Sequence, residues 1–228
     1  MVSETQLFEY MRTSPQASSI KSPESGKYVF SNAANASLMG FTSPEQLTGM
    51  TVRDLGFSRS QQGNAWAEKI QGMDYLSREK RCVLEDTHEY LNESGILVYK
   101  ITTKLPLIGI RGNVFGIVTF SQELTHRLSH RLLYELYKKI YDKKTAAKKF
   151  LHHLEIESWF YAAPTEAELL VLIERTAGKA DKDIAKAHSV STRTIETHFV
   201  NLRAKLKGEA LPDIIFRLRN PSHTINTI

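Results

Sequence analysis

Gly178–Leu206 reads GKADKDIAKAHSVSTRTIETHFVNLRAKL, and its apolar spacing decides how the C-terminal part of the chain folds. Asp181–His188 places Ile184, Ala185 and His188 at helical spacing, Ser189–Ser191 interrupts, and Thr192–Leu206 resumes. At about 100° per residue, Ile195, Phe199, Leu202 and Leu206 share one narrow stripe. Arg193, Glu196, Thr197, Val200, Ala204 and Lys207 fall on the opposite, solvated side. A short helix, a tight turn and a longer helix with one apolar stripe describe a helix-turn-helix. In that arrangement the second helix enters the major groove of double-stranded DNA. Ser191 stands at its N-cap, where a hydroxyl accepts a backbone N–H that lacks a helical partner. The same helix end offers N–H groups and a partial positive charge to a phosphate. By itself an apolar stripe is also what a plain helical bundle uses for its core.

The flanks extend the pattern. Thr165 and Glu168 have the spacing of a capping box, and Leu169, Leu172, Ile173 and Thr176 give that helix a buried side. Pro212 opens a last short helix carrying Ile214, Ile215 and Leu218. Gly178-Lys179, Lys182-Asp183-Ile184-Ala185, Val190-Ser191, Thr194-Ile195, His198, Asn201 and Lys205-Leu206 together resemble the DNA-binding domain of LuxR-type transcription regulators. The likeness reaches upstream to Pro164–Glu168 and covers roughly 162–219. It implies an all-α four-helix domain, assigned to 162–228, whose fourth helix often pairs two copies. The implied phosphate-holding residues are Lys179, Lys182, Thr192, Arg193 and Lys205, which lie at helix starts or flanks where contacts position without reading sequence. The remaining expected contacts are Thr194, Glu196, Thr197, His198, Val200, Asn201 and Arg203. Three residues depart from the family pattern: Ala167 for Arg, Ala180 for a capping Ser, and Glu196 for a Lys common in relatives. The lost cap costs about 1 kcal/mol. Glu196 bears on the DNA target. In the groove a Glu accepts from cytosine N4 and Val200 packs on a thymine methyl; alternatively Glu196 pairs with Arg193.

With 228 residues the chain has room for two small domains with cores of their own. An apolar fraction of 41% and a charged fraction of 24% are those of a globular protein. No run approaches the roughly 18 apolar residues of a membrane span, and no secretory signal opens the chain. One cysteine, Cys82, cannot form an internal disulfide, which suits a cytoplasmic protein. The net charge of +5 is uneven: residues 1–125 carry 12 Lys+Arg against 13 Asp+Glu, and residues 126–228 carry 18 against 12. A basic C-terminal half beside a neutral N-terminal half fits a nucleic-acid module joined to a sensor.

Residues 1–25 read as a short helix or flap followed by a loop, with Leu7, Phe8 and Met11 as an early apolar patch. From Gly26 the order becomes Tyr28–Phe30 strand, helical turns at Ala33–Met39, Ser43–Leu47 and Thr51–Leu55, then a helix over Gln62–Leu76. Three strands follow at Arg81–Tyr90, Ile96–Ile110 and Val114–Phe120, separated by Gly95 and Gly112-Asn113 as hairpins require. This is an α+β arrangement with one antiparallel sheet. Tyr28–Asn32, Gly40, Ser43–Leu47, Gly49, Asp54-Leu55 and the ending Gln122–Thr125 resemble a PAS domain, covering roughly 22–125. PAS domains bind small ligands, haem or flavin between sheet and helices, or serve only in dimerisation. Residues 56–81 contain no His for a haem, and Cys82 falls on a strand rather than in a photoactive flavin motif, so no cofactor is expected. Trp66, Met73 and Tyr75 are the candidate walls of a pocket for a small apolar ligand, or plain core.

Between the modules, assigned as 26–125 and 162–228, lies a linker at 126–161. There Leu124, Leu128, Leu132, Leu136 and Ile140 recur every four residues. They predict one amphipathic helix, either a dimer contact or a helix packed on its own sheet. The reading is a cytoplasmic, homodimeric transcription regulator with a sensing N-terminal domain. The alternative is a signalling adaptor whose domains bind proteins. No phosphate-binding Gly loop, HExxH or GxSxG motif is present, so no enzyme is expected.

Overall fold

A computed structural model describes residues 4–56, 61–92, 94–208 and 210–220. The chain divides into two compact units, Met1–Arg127 and Leu128–Ile228.

The N-terminal unit is one antiparallel sheet of β1 (Ala17–Lys21), β2 (Tyr28–Ser31), β3 (Leu84–Leu91), β4 (Leu97–Ile108) and β5 (Val114–Glu123), in the order β2-β1-β5-β4-β3. Before it comes α1 (Glu4–Thr13); between β2 and β3 come α2 (Ala33–Leu38), two 3-10 turns and α3 (Gln61–Lys80). Asn32 caps α2 by accepting the Asn35 N–H at 2.9 Å, and Gly40 follows with φ 83°, a conformation that favours glycine. This is the PAS-like α+β arrangement expected, with one correction. Residues 1–25 are not a flap with a loop, because they supply α1 and β1, and β1 lies between β2 and β5 inside the sheet. Ala17-Ser18-Ser19-Ile20-Lys21 holds one large apolar residue, so periodicity gives no strand signal, yet all five residues are buried. Leu7, Phe8 and Met11 of α1 pack on Ile20, Phe30, Val118 and Phe120, covering the outer face of the sheet. The other face meets α3, whose Trp66, Ala67, Ile70 and Met73 join Tyr28, Leu47, Leu55 and Tyr90 in the larger core.

The C-terminal unit begins with α4 (His130–Ile140) and α5 (Lys143–His153), then α6 (Glu166–Thr176), α7 (Asp181–Ala187), α8 (Thr192–Ala204) and α9 (Leu211–Arg219). The single linker helix expected is thus two. Asp142 ends the first and caps the second, accepting the N–H groups of Lys144 and Thr145 at 3.0 and 3.1 Å. The buried stripe also rotates: Leu133, Tyr134, Leu136 and Tyr137 are inside, while Leu132 is 48% exposed. Tyr134 packs on Phe150 at 5.3 Å between ring centres. α4 is tied to α6 by Arg131–Glu174 (3.3 Å), Lys138–Glu166 (3.2 Å) and the His130 Nδ1–Thr176 Oγ1 contact (3.2 Å). Burial pushes the His130 imidazole below its ordinary range. Both halves of the Thr165–Glu168 capping box form, at 2.7 and 3.3 Å. Ala180 makes no side-chain cap, as its missing hydroxyl requires. Among the described residues no helix is long and apolar enough to cross a membrane.

Candidate nucleic-acid interface and ligand pocket

Helix α8 buries Ile195, Phe199 and Leu202. Its start is fixed by Ser191, whose hydroxyl accepts the Thr194 N–H at 3.1 Å. The preceding turn passes through Ser189 at φ 54°, a left-handed conformation that costs a residue with a Cβ. Taking the buried stripe as the inner direction, Arg193, Thr197 and Val200 point outward at helical spacing, and all three are exposed. Glu196 and Arg203 lie on one flank, exposed, with Thr192 exposed in the first turn; Thr194, His198 and Asn201 lie on the other. Thr194 and His198 are half-buried there. The Thr197 hydroxyl donates to the Arg193 carbonyl at 2.9 Å, leaving its methyl and oxygen lone pair outward. Glu196 makes no ion pair, with Arg193 or any other cation, among the described residues.

The candidate cations divide by partner. Lys182, Arg193 and Arg203 have no carboxylate partner among the described residues, so their charge faces solvent. Lys179 instead lies 2.5 Å from Glu174, which Arg131 also touches. Lys205 is half-buried and 2.6 Å from Glu168, joining the end of α8 to the start of α6. Burial pushes the Glu168 carboxyl up, but Lys205 and the Thr165 N–H outweigh it and hold it low. Lys205 is a strut of the fold in this arrangement, a role no spacing rule distinguishes from a phosphate contact.

In the N-terminal unit the three pocket candidates separate. Trp66 and Met73 are buried, but Tyr75 is 59% exposed. Nine positions from Trp66 is half a turn out of phase on a helix, so Tyr75 faces solvent and lines nothing. Trp66, Ile70 and Met39 form an apolar wall, and across from them the sheet presents Ser19, Lys21, Lys100, Thr102, Lys104, Thr119 and Ser121. The register puts Ser19, Thr119 and Lys104 in one row across β1, β5 and β4, and Ser121 beside Thr102 in the next. A polar inner face with three lysines is the opposite of the usual hydrophobic-in pattern. Ile101 and Leu105 alternate with those lysines and suggest an apolar core face, whereas Leu105 is on the exposed side.

Asp74 of α3 reaches down to two of the cations, Lys21 at 2.8 Å and Lys104 at 2.6 Å. Lys104 also donates to Thr119 at 2.9 Å. Lys100 has aromatic faces instead, Trp66 at 5.1 Å and Tyr90 at 4.9 Å from the ring centres. Burial, then the charges of Lys104 and Lys21, pushes Lys100 down to about 7. Burial and Lys21 push Lys104 down to about 8 despite Asp74. Burial opposes the Asp74 charge, but Lys104 and Lys21 outweigh it and hold its carboxyl low. His88, paired with Lys100 in register, is pushed by burial and by Lys100 down to about 3 and so is neutral at pH 7. Among the described residues, groups of His, Cys, Asp and Glu that could hold a metal ion are absent.

Residues 165–217 match the family described as bacterial regulatory proteins, luxR family. The C-terminal helices are therefore a LuxR-type helix-turn-helix domain. VqmA from Vibrio cholerae, in its crystal structure with ligand and DNA, superposes with a TM-score of 0.50 at 19% identity, covering 96% of this chain and 88% of that one. The two share a fold across nearly their whole lengths. A phage VqmA in complex with DPO gives a TM-score of 0.45 at 22% identity, covering 96% and 87%. A PAS domain from Colwellia psychrerythraea gives 0.45 at 18% identity, covering 54% of this chain and 98% of that one. Among curated proteins none matches the chain in sequence.

Proposed function

We propose that this chain is a cytoplasmic transcription regulator that binds double-stranded DNA as a homodimer through α8, under control of a small ligand held in the PAS-like unit. In this reading 26–125 with α1 and β1 is the sensor, 126–161 the connection and 162–228 the output module. The observation that carries it is the outward face of α8: an N-terminal cap, exposed Arg193, Thr197 and Val200, and unpaired cations Lys182 and Arg203 beside them, within a segment matching the luxR regulators. VqmA, similar in fold, is described with both a ligand and DNA. Enrichment from a random DNA pool on the purified full-length chain tests it. A site with two-fold symmetry and half-sites about one helical turn apart is expected. Recovery of no preferred sequence would count against a regulator that reads DNA.

A further inference from the structure

The polar face between sheet and α3 is short of negative charge. Lys21, Lys100 and Lys104 are each no more than 2% exposed. Asp74 is the carboxylate that meets this cluster, and both of its oxygens are engaged, one by Lys21 and one by Lys104. Among the described residues no carboxylate pairs with Lys100, whose neighbours are the rings of Trp66 and Tyr90. An ammonium enclosed by protein requires a partner charge or hydrogen-bond acceptors. Around it stand neutral hydroxyls, with Thr102 Oγ1 3.4 Å from both Ser121 Oγ and His88 Nε2. His88 Nδ1 is buried without a hydrogen-bond partner among the described residues. The opposite wall is apolar, formed by Met39, Trp66 and Ile70, and the gap between the walls is narrow.

We propose that this pocket takes a small monocarboxylate. Its head group lies against Lys100 among Thr102, Ser121 and Ser19, and its apolar body lies against Trp66, Ile70 and Met39. The proposal rests on the ligand-holding reading of the N-terminal unit and names the chemical class of the ligand. A carboxylate supplies the acceptors that Lys100 lacks, and the hydroxyls can donate to its second oxygen. A dicarboxylate would have to bury its second charge against the apolar wall. A neutral compound of the same shape leaves the ammonium unpaired.

The test uses the purified full-length chain, with propionate, isobutyrate and benzoate as probes, each against its neutral carboxamide at constant ionic strength. The thermal transition of the N-terminal unit is followed. At least one acid is expected to raise it by roughly 5–10 °C at a hundredfold excess over Kd, with its amide giving no comparable rise. Lys100→Met is expected to abolish the response, and Lys100→Arg, which keeps the charge, to retain part of it. If Lys100→Met does not fold, the acid–amide contrast in the native chain and the Lys100→Arg response still decide the matter. Equal responses to acid and amide, an acid response that survives Lys100→Met, or no response to any acid would overturn the proposal. DNA affinity measured in the same samples separates the two levels. Acid binding without a change in DNA affinity leaves the pocket assignment standing and contradicts only the ligand-controlled regulator.

Discussion

In the C-terminal unit Lys182, Arg193 and Arg203 stand in solvent with no carboxylate partner among the described residues. In the N-terminal unit, whose sequence is nearly neutral, Lys21, Lys100 and Lys104 are enclosed at no more than 2% exposure. Exposed cations on a helix start and on a groove-facing side are screened by salt and free to meet a polyanion. Enclosed cations cannot meet a polyanion at all; they can only be matched from within or by a molecule small enough to enter. Net charge therefore reports the first unit's partner and hides the second's.

The sharpest way to break this contrast is to remove the one internal counter-charge. Asp74→Ala leaves Lys21 and Lys104 uncompensated, and the N-terminal unit should lose about 3–5 kcal/mol in urea unfolding. A loss below about 1 kcal/mol would mean that water reaches those lysines. Next comes pH. Lys100 and Lys104 have folded values of about 7 and 8 against an ordinary 10.5. Between those values the unfolded chain binds more protons, so stability rises with pH. The N-terminal unit should therefore gain stability, on the order of a few kcal/mol, from pH 7 to 10. Lys100→Met should flatten that gain. His88, at about 3 when folded against 6.5, works in the same sense at lower pH, so stability should fall as pH drops from 6.5 toward 3. A urea series across pH on both chains checks both arms.

Within the C-terminal unit the contrast sharpens between Lys205 and Lys182. Lys205→Ala strands the 5%-exposed Glu168 carboxylate and should cost about 2–3 kcal/mol of stability. Lys182→Ala should leave stability unchanged and reduce the salt slope of DNA binding by about one unit. Thermal melts and DNA titrations on both variants separate strut from phosphate contact. Glu196 has no ion-pair partner among the described residues, which leaves it available to a base. Selection from a DNA pool should show a cytosine preference worth about 1–3 kcal/mol in the native chain. Glu196→Lys should lose that preference while binding DNA more tightly overall; identical selected sequences would remove its reading role. The smallest expected effect is at the turn, where Ser189→Gly relieves the left-handed φ and should add about 0.5–1 kcal/mol.

What the residues reveal in advance depends on which physical signal decides each element. Helix α8 was legible because Ile195, Phe199 and Leu202 repeat at 3.6-residue spacing and Ser191 can only cap. Thr165–Glu168 and Pro212 were legible for equally local reasons. Strand β1 was not, since Ser18 and Ser19 are buried through sheet pairing on both sides rather than through apolar side chains. The inner face of β4 was misleading because Lys100, Thr102 and Lys104 alternate cleanly with Ile101, Thr103 and Leu105, and alternation does not say which face is covered. Trp66 and Asp74, eight residues apart on one side of α3, are the signal that could have turned the choice: a helix that sends a carboxylate inward implies cations to receive it. Lys179 and Lys205 could not be sorted from Lys182, because Glu174 and Glu168 meet them through tertiary packing.

The account turns on α8 meeting DNA with the cations this unit leaves unpaired. The most direct test is the affinity of the full-length chain for its selected site, measured by fluorescence anisotropy between about 50 and 200 mM salt. Log affinity should fall linearly with log salt, by about 0.9 for each phosphate contacted, and Arg193→Ala should bind more weakly with a shallower slope. An affinity that does not change with salt, or one unaltered by Arg193→Ala, would contradict a DNA interface on this helix.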